Sequence, residues 1–255
     1  MLKRYQVIVL AMILGVLFST SFVTSADAGS NDAVVTVLQG TAKVYSKGST
    51  SGRGLKKGDE LKQDQEIKVG MKSRLEIRFP DGTVMRLSEK AHLKMSALSF
   101  NKKTESKNVS VNLGTGKLWA NVKKLATPES SVEVKLSNAV AGVRGTVYRI
   151  NVNEDKSAVV KVYDGSVYVA NPPRDTSQPT DKVTMPHQVA GPHEVAPPVH
   201  EVSMEEWHVI VKAMQQISIS PQGQASKPQD FDAKSDADAD DWVKWNQERD
   251  KEAVF

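Results

Sequence analysis

Residues 138–153, with the sequence NAVAGVRGTVYRINVN, place small residues and a lone arginine directly before a run of β-branched and aromatic residues. Small residues let two backbone segments approach closely, and glycine tolerates positive φ angles. We therefore expect a tight corner in the backbone around Gly142 and Gly145, followed by a β-strand over residues 147–152.

Short alternating runs continue on both sides of this corner. Residues 74–79 alternate between charged and apolar side chains and lead into the turn sequence PDG, and Asp164-Gly165 joins two more apolar runs. These are hairpin signals. Since residues 34–170 show no useful helical periodicity, they predict an all-β domain of about ten short strands in a sandwich, barrel or solenoid.

The order of these motifs resembles the FecR domain, named for a periplasmic regulator of iron-citrate uptake. The motifs are GDELKQDQEIKVGMKSRLEIRFPDGTVMRLSEKAHLKM, GTGKLWANV, VEVKLSNAVAGVRGTVYRINV and VYDGSVYV, and they extend over about residues 40–170. The most specific element is AVAGVRGT followed by DGSV, with the motif residues Ala141, Gly142, Arg144, Gly145, Thr146, Asp164 and Gly165. The resemblance implies an exported, non-catalytic β module whose relatives act in signalling or envelope interactions.

The resemblance does not extend to every part of the full-length regulators. Those proteins carry a cytoplasmic segment that handles a sigma factor, then a membrane span and then the periplasmic domain. Here about six residues precede the first apolar run, so we do not expect a role in regulating a sigma factor.

Arg144 has two interpretations. As a scaffold residue it would satisfy backbone carbonyls at the corner, or a carboxylate such as Asp81 or Asp164 at the hairpin turns. The alternative is that it contacts a ligand. We expect the scaffold role, because a tight bend demands local hydrogen-bond partners.

The N-terminus predicts export. Lys3 and Arg4 precede an apolar run over residues 7–23, and Ala26-Asp27-Ala28 fits a signal-peptidase site. We expect residues 1–28 to be a signal peptide, cleaved after Ala28, and the mature protein to be periplasmic or secreted. An uncleaved anchor is the alternative. The chain has no cysteine, which excludes disulfides and thiolate zinc sites.

Charge divides the remaining chain. Residues 34–170 contain 24 basic and 13 acidic residues, a net charge of +11, whereas residues 171–255 contain 8 basic and 15 acidic residues, a net charge of −7. The two halves could attract each other, or the basic half could face an anionic partner.

Three segments are expected after the β domain. Residues 171–202 form a linker containing proline and histidine, and residues 203–219 are predicted to form an amphipathic helix capped by Ser203. Residues 220–255 form an acidic tail with a short helix, which we expect to lie against the basic domain. The side chains that could make interactions are Trp207, Ile210, Val211, Met214, Trp242 and Trp245.

No catalytic, cofactor or metal site is predicted. The β domain has one histidine, His92, and the aspartates 236, 238 and 240 begin like a calcium loop but meet Asp241 where glycine is required. We expect a non-enzymatic protein-interaction or signalling module of the cell envelope. The alternative is a binder of anionic envelope glycan or peptidoglycan. We expect no nucleic-acid partner and no membrane span in the mature chain, and the oligomeric state stays open.

Overall fold

The computed structural model describes residues 32–101, 103–125, 127–172 and 208–252. The predicted signal peptide, the predicted linker from residue 173 onward, and Trp207 lie outside these residues. The described chain forms two sheets that share one long strand, β9 (Ser106–Asn121). Neighbouring strands are antiparallel, except that β9 and β10 (Ser131–Lys135) are parallel.

Sheet A contains the C-terminal part of β9 and eight other strands. In spatial order these are β4 (Glu60–Leu61), β1 (Ala33–Gln39), β6 (Arg74–Arg78), β7 (Val84–Leu87), β9, β12 (Val147–Val152), β13 (Ala158–Asp164), β16 (Gln215–Ile219) and β17 (Gln229–Asp230).

Sheet B contains the N-terminal part of β9 and likewise eight other strands. In spatial order these are β3 (Arg53–Gly54), β2 (Ala42–Tyr45), β5 (Glu66–Val69), β8 (His92–Asn101), β9, β10, β11 (Val140–Val143), β14 (Ser166–Ala170) and β15 (His208–Lys212).

One hydrophobic core lies between the two sheets. Ile77 and Leu118 of sheet A and Ile67 and Val111 of sheet B are all fully buried in it. Alternate residues of each strand point inward, as the alternating sequence requires. The predicted all-β class is confirmed, and two short helices lie near the C-terminus of the described chain. The described part of residues 33–170 contains fourteen strands, however, not about ten, because several are only two to four residues long.

The predicted corner is the place where the chain crosses from sheet B to sheet A, between β11 and β12. Gly145 has a φ angle of 65° there, and Gly165 of the DGSV hairpin has a φ angle of 81°. A Cβ atom on Gly165 would lie 2.7 Å from the Gly145 carbonyl oxygen. The Thr146 hydroxyl donates to the Ser166 carbonyl oxygen at 2.8 Å. The two most specific motifs of the sequence are therefore packed against each other.

The scaffold role predicted for Arg144 is wrong. Its side chain is exposed, and in the described part of the chain it makes no hydrogen bond or ion pair with Asp81, Asp164 or any other residue. The hydrogen bonds at the corner are made instead by the Thr146 hydroxyl and by backbone groups. Asp81 pairs with Lys107.

The helix predicted over residues 203–219 is also wrong for the residues described. Residues 208–219 form the strands β15 and β16, joined by a turn in which Met214 has a φ angle of 61°. The apolar residues fit a period of two as well as a helical stripe, and β14 and β13 supply backbone partners that favour strands. Val211 is buried, whereas Ile210 is exposed.

Two helices follow the strands, α1 (Ala233–Ala239) and α2 (Asp241–Glu252). The Asp232 carboxylate accepts from the Lys234 amide to cap α1, and the Asp240 carboxylate accepts from the Trp242 amide at the start of α2. Neither these helices nor any other helix among the described residues is long and apolar enough to cross a membrane.

Candidate functional site: the charged face of sheet A and the open edge of sheet B

Five side chains form a row across the outer face of sheet A. Cross-strand pairing aligns Glu76 with Arg86, Arg86 with Trp119, Trp119 with Arg149, and Arg149 with Lys161. Residues directly opposite one another point to the same face of a sheet, so this row lies opposite the hydrophobic core. We call these five residues the charged row.

An aromatic cluster joins α1 and α2 to this face. Trp119 lies 4.5 Å from Tyr163 between ring centroids and 6.5 Å from Trp242, which it meets edge to face. Val243 of α2 is fully buried in the same cluster, and Ala237 of α1 is nearly so. The expected docking of the acidic tail on the β domain is therefore observed.

Asp250 of α2 binds two members of the charged row. Arg86 Nη1 donates to Asp250 Oδ1 at 2.7 Å, and Trp119 Nε1 donates to Asp250 Oδ2 at 2.8 Å. Arg86 Nε also donates to Glu76 Oε2 at 2.7 Å, and Arg249 Nε donates to the same oxygen at 2.9 Å. Glu76 and Arg86 are each only 1% exposed, so water does not solvate either charge. Each is stabilised instead by an opposite charge within the protein.

Asp236 of α1 binds the other end of the row. Its carboxylate accepts from Arg149 Nη2 at 3.1 Å, from Lys161 Nζ at 2.7 Å and from the Tyr163 hydroxyl. Nearby, Asp240 accepts from Lys117. The acidic side chains of the C-terminal helices thus neutralise cations of sheet A.

The pKa values report how strongly the charged forms are held. Burial alone would raise the pKa of Glu76, but hydrogen bonds from Arg249, Thr36 and Arg86 outweigh it and lower that pKa to about 2. Burial likewise opposes the charged form of Asp236, yet hydrogen bonds from Lys161 and Tyr163 lower its pKa below the usual value. Both carboxylates therefore stay ionised at neutral pH.

A cleft of about 680 Å³ lies beside the junction of α1 and α2. Basic side chains such as Lys72 and Lys90 line it together with acidic ones such as Glu89 and Glu154. The two signs balance, so the cleft does not favour a charged ligand of either sign. Among the described residues, no group of three or more acidic or histidine side chains is arranged to hold a metal ion.

The edge of sheet B presents a second surface, which contrasts with the covered face of sheet A. In the described chain β15 pairs with β14 on one side and with no strand on the other. Tyr168 and Ile210, directly opposite each other, are 49% and 55% exposed. The Tyr168 ring stacks on His208 at 5.7 Å between centroids, and Met214 in the following turn is 46% exposed. We call Tyr168, His208 and Ile210 the edge patch.

The structure separates the residues that the sequence singled out. Ile210 lies in the edge patch and Met214 is exposed in the turn after β15, whereas Trp242 is buried against sheet A. Trp245 lies on the charged side, where the guanidinium groups of Arg74, Arg86 and Arg249 approach its ring within 5.3 to 5.9 Å. The motif residues of the corner support the backbone crossing, except for the exposed Arg144.

Sequence reasoning missed the charged row. Its members occupy the polar positions of alternating strands, which sequence analysis assigns to solvent. The available signal was the acidic C-terminal segment with its two tryptophans, which needed a basic, partly apolar surface to cover.

Residues 65–168 match the family model described as FecR protein. The chain carries a FecR domain. The matched residues include the corner, the DGSV hairpin and all five members of the charged row, from Glu76 to Lys161. They include no residue of the C-terminal helices. FecR proteins are regulatory rather than enzymatic, and FecR-like regulators interact with proteins.

Two crystal structures from Parabacteroides distasonis ATCC 8503, at 1.65 and 2.50 Å resolution, are similar to this FecR-domain chain. Both are described as a "putative anti-sigma factor". Each shares 18% sequence identity with it at a TM-score of 0.43, and the alignment covers 66% of this chain. This chain spans 60% of the length of those chains. No curated protein matches it.

Proposed function

We propose that this chain is an exported, non-enzymatic FecR-domain protein that acts in the cell envelope by binding another protein. The observation that carries the proposal is the location of the exposed large apolar side chains. The described residues include four of them, and two, Tyr168 and Ile210, lie directly opposite each other in the edge patch. Exposed apolar patches with polar rims are typical of protein-interaction sites.

Three features of the sequence support export and the absence of catalysis. The predicted signal peptide over residues 1–28 favours export. The FecR domain belongs to a regulatory family, and its single histidine, His92, lies beside Glu66 rather than beside a nucleophile. A Ser-His-Asp arrangement needs a serine hydroxyl within hydrogen-bond reach of the histidine.

The observed charge pairing disfavours the alternative function of binding anionic glycan. Arg86, Arg149, Lys117 and Lys161 all pair with acidic residues of the C-terminal helices. Part of the net charge of +11 that motivated this alternative is thus neutralised within the chain, which leaves the edge patch as the better candidate surface.

A site-specific photo-cross-linker tests the proposal in cells that produce the protein. We would place it at Ile210 and, as a matched control, at Met71, which is 69% exposed and lies between β5 and β6. The proposal expects a defined protein adduct from position 210 and none from position 71. The absence of an adduct at 210, together with co-sedimentation of the purified chain with peptidoglycan, would favour the glycan alternative.

A further inference from the structure

The edge of β15 has the features of a site that accepts an additional strand. We propose that it binds an extended segment of the partner protein, with an apolar residue opposite Ile210 and an acidic residue opposite Lys212. Such a segment carries its apolar and acidic residues two positions apart. This inference rests on the protein-binding function proposed above and specifies the chemistry of the partner.

The backbone of β15 supplies the first argument. All five residues, from His208 to Lys212, pair with β14, and in the described chain no strand covers the opposite side. An edge strand presents unpaired N–H and C=O groups in a row, which is the template for adding an extended peptide.

The side chains of β15 supply the second argument. Successive residues of a strand point to opposite faces, so His208, Ile210 and Lys212 share the outer face while Val211 is buried in the core. Tyr168 stands next to Ile210 on the neighbouring strand. An apolar side chain on an added strand would extend this platform by one strand and bury part of the exposed surface of Ile210.

Charge supplies the third argument. Lys212 is paired with Ser166 across the sheet, and Arg144 follows Val143, whose partner is Val167, so both cations lie at the same end of the patch. Neither side chain makes an ion pair within the described ranges, and the exposed Asp164 near this end pairs with neither of them. Two such cations favour an acidic side chain on the partner.

Peptide binding to the full chain tests this arrangement. The probes are fluorescent ten-residue peptides of alternating threonine and serine, carrying one isoleucine and one glutamate two, three or four positions apart. We expect the spacing of two to bind about fivefold more tightly than the same peptide with glutamine in place of glutamate. Equal binding of the glutamate and glutamine peptides would overturn the acidic requirement.

Charge reversal sharpens the test. Lys212→Glu should lower the affinity for the glutamate peptide about tenfold. The variant should prefer a peptide with lysine in place of that glutamate. The control Lys57→Glu makes the same change of charge on an exposed residue between β3 and β4, and should leave both affinities unchanged. Ile210→Asp should lower the affinity for every peptide at least tenfold, whereas Met71→Asp should leave these affinities unchanged. Equal effects of Lys212→Glu and Lys57→Glu would contradict the proposed placement.

Methylation of peptide amides distinguishes strand addition from side-chain docking. N-methyl groups on the alternate amides that face β15 should abolish binding, whereas the same groups on the other alternate amides should preserve it. Loss of binding in both sets, or in neither, would exclude strand addition.

The cross-linker at position 210 separates this inference from the proposed function. An adduct with another protein, without binding of any peptide, would keep the function and overturn strand addition. An adduct with a second copy of this chain, or with residues 173–207 of the same chain, would overturn the proposed occupant. The absence of both adduct and peptide binding would overturn both proposals.

Discussion

Arg86 of β7 and Asp250 of α2 are 164 residues apart in the sequence, and Arg86 Nη1 donates to Asp250 Oδ1 at 2.7 Å. The arginine side chain is 1% exposed and the aspartate 15%. Removing two charges from water is costly, and the pair is retained because Glu76 and Trp119 satisfy the remaining donors and acceptors around it. This contact fastens the end of the chain to the middle of sheet A.

Removal of the Asp250 carboxylate should loosen α2. We expect Asp250→Ala to lower the free energy of unfolding by about 2 kcal/mol, because Arg86 and Trp119 each lose a hydrogen-bond acceptor in a buried site. Urea denaturation measures the loss, and faster hydrogen exchange over residues 241–252 should locate it. The matched variant Glu252→Ala, at a side chain that is 72% exposed, should change stability by less than about 0.5 kcal/mol.

Stability should depend on acidic pH through Glu76. Its pKa is about 2 in the folded chain against an ordinary value of 4.5, so the unfolded state takes up a proton first as the pH falls. The contribution of Glu76 is complete above about pH 4.5 and is lost progressively as the pH falls toward 2. Thermal unfolding between pH 6 and 2.5 tests this. Glu76→Gln should flatten this part of the profile, and an unchanged slope would contradict the prediction.

Arg144 and Arg149 are close together in the sequence but should contribute very differently to the free energy of unfolding. Arg144→Ala should change the free energy of unfolding by less than about 0.5 kcal/mol, since its side chain is exposed and has no partner among the described residues. Arg149→Ala should cost about 3 kcal/mol, because it leaves Asp236 in a largely buried site with one cation fewer. Chemical denaturation of both variants provides the comparison, and similar losses would show that Arg144 has a structural role.

The packing of the DGSV hairpin on the corner should tolerate no side chain at Gly165. Gly165→Ala should lower the free energy of unfolding by about 2 kcal/mol, because φ is 81° and the new Cβ would meet the Gly145 carbonyl oxygen. Gly54→Ala is the matched control, with open space around the added Cβ. Equal melting temperatures for the two variants would show that the corner adjusts freely.

Local sequence patterns were sufficient to predict the strands of the FecR domain. Alternation over residues 74–79 and the Asp164-Gly165 turn specify strands and a hairpin, because a period of two and a turn residue act over only a few positions. The corner at Gly145 could be predicted for the same reason. Arg144 could not be assigned from sequence, because its exposure depends on which sheet each neighbouring strand joins.

Residues 208–219 show where local pattern was insufficient. Ile210, Val211, Met214 and Ile217 fit a helical stripe, yet residues 208–219 form strands. The choice depends on backbone partners from β14 and β13, which lie at least 38 residues earlier in the sequence. Tertiary pairing therefore decided the secondary structure, and with it the exposure of Ile210 at an open edge.

The charged row required the tertiary structure for a different reason. The composition of the chain already indicated a basic domain and an acidic C-terminal segment that could attract each other, since net charge is a property of the sequence. It could not indicate that Arg86 and Glu76 are buried, because a polar residue on an outward-facing position becomes buried only when a distant element covers it. The helices over residues 233–252 provide that cover, and long-range packing alone places Asp236 and Asp250 on their partners in sheet A.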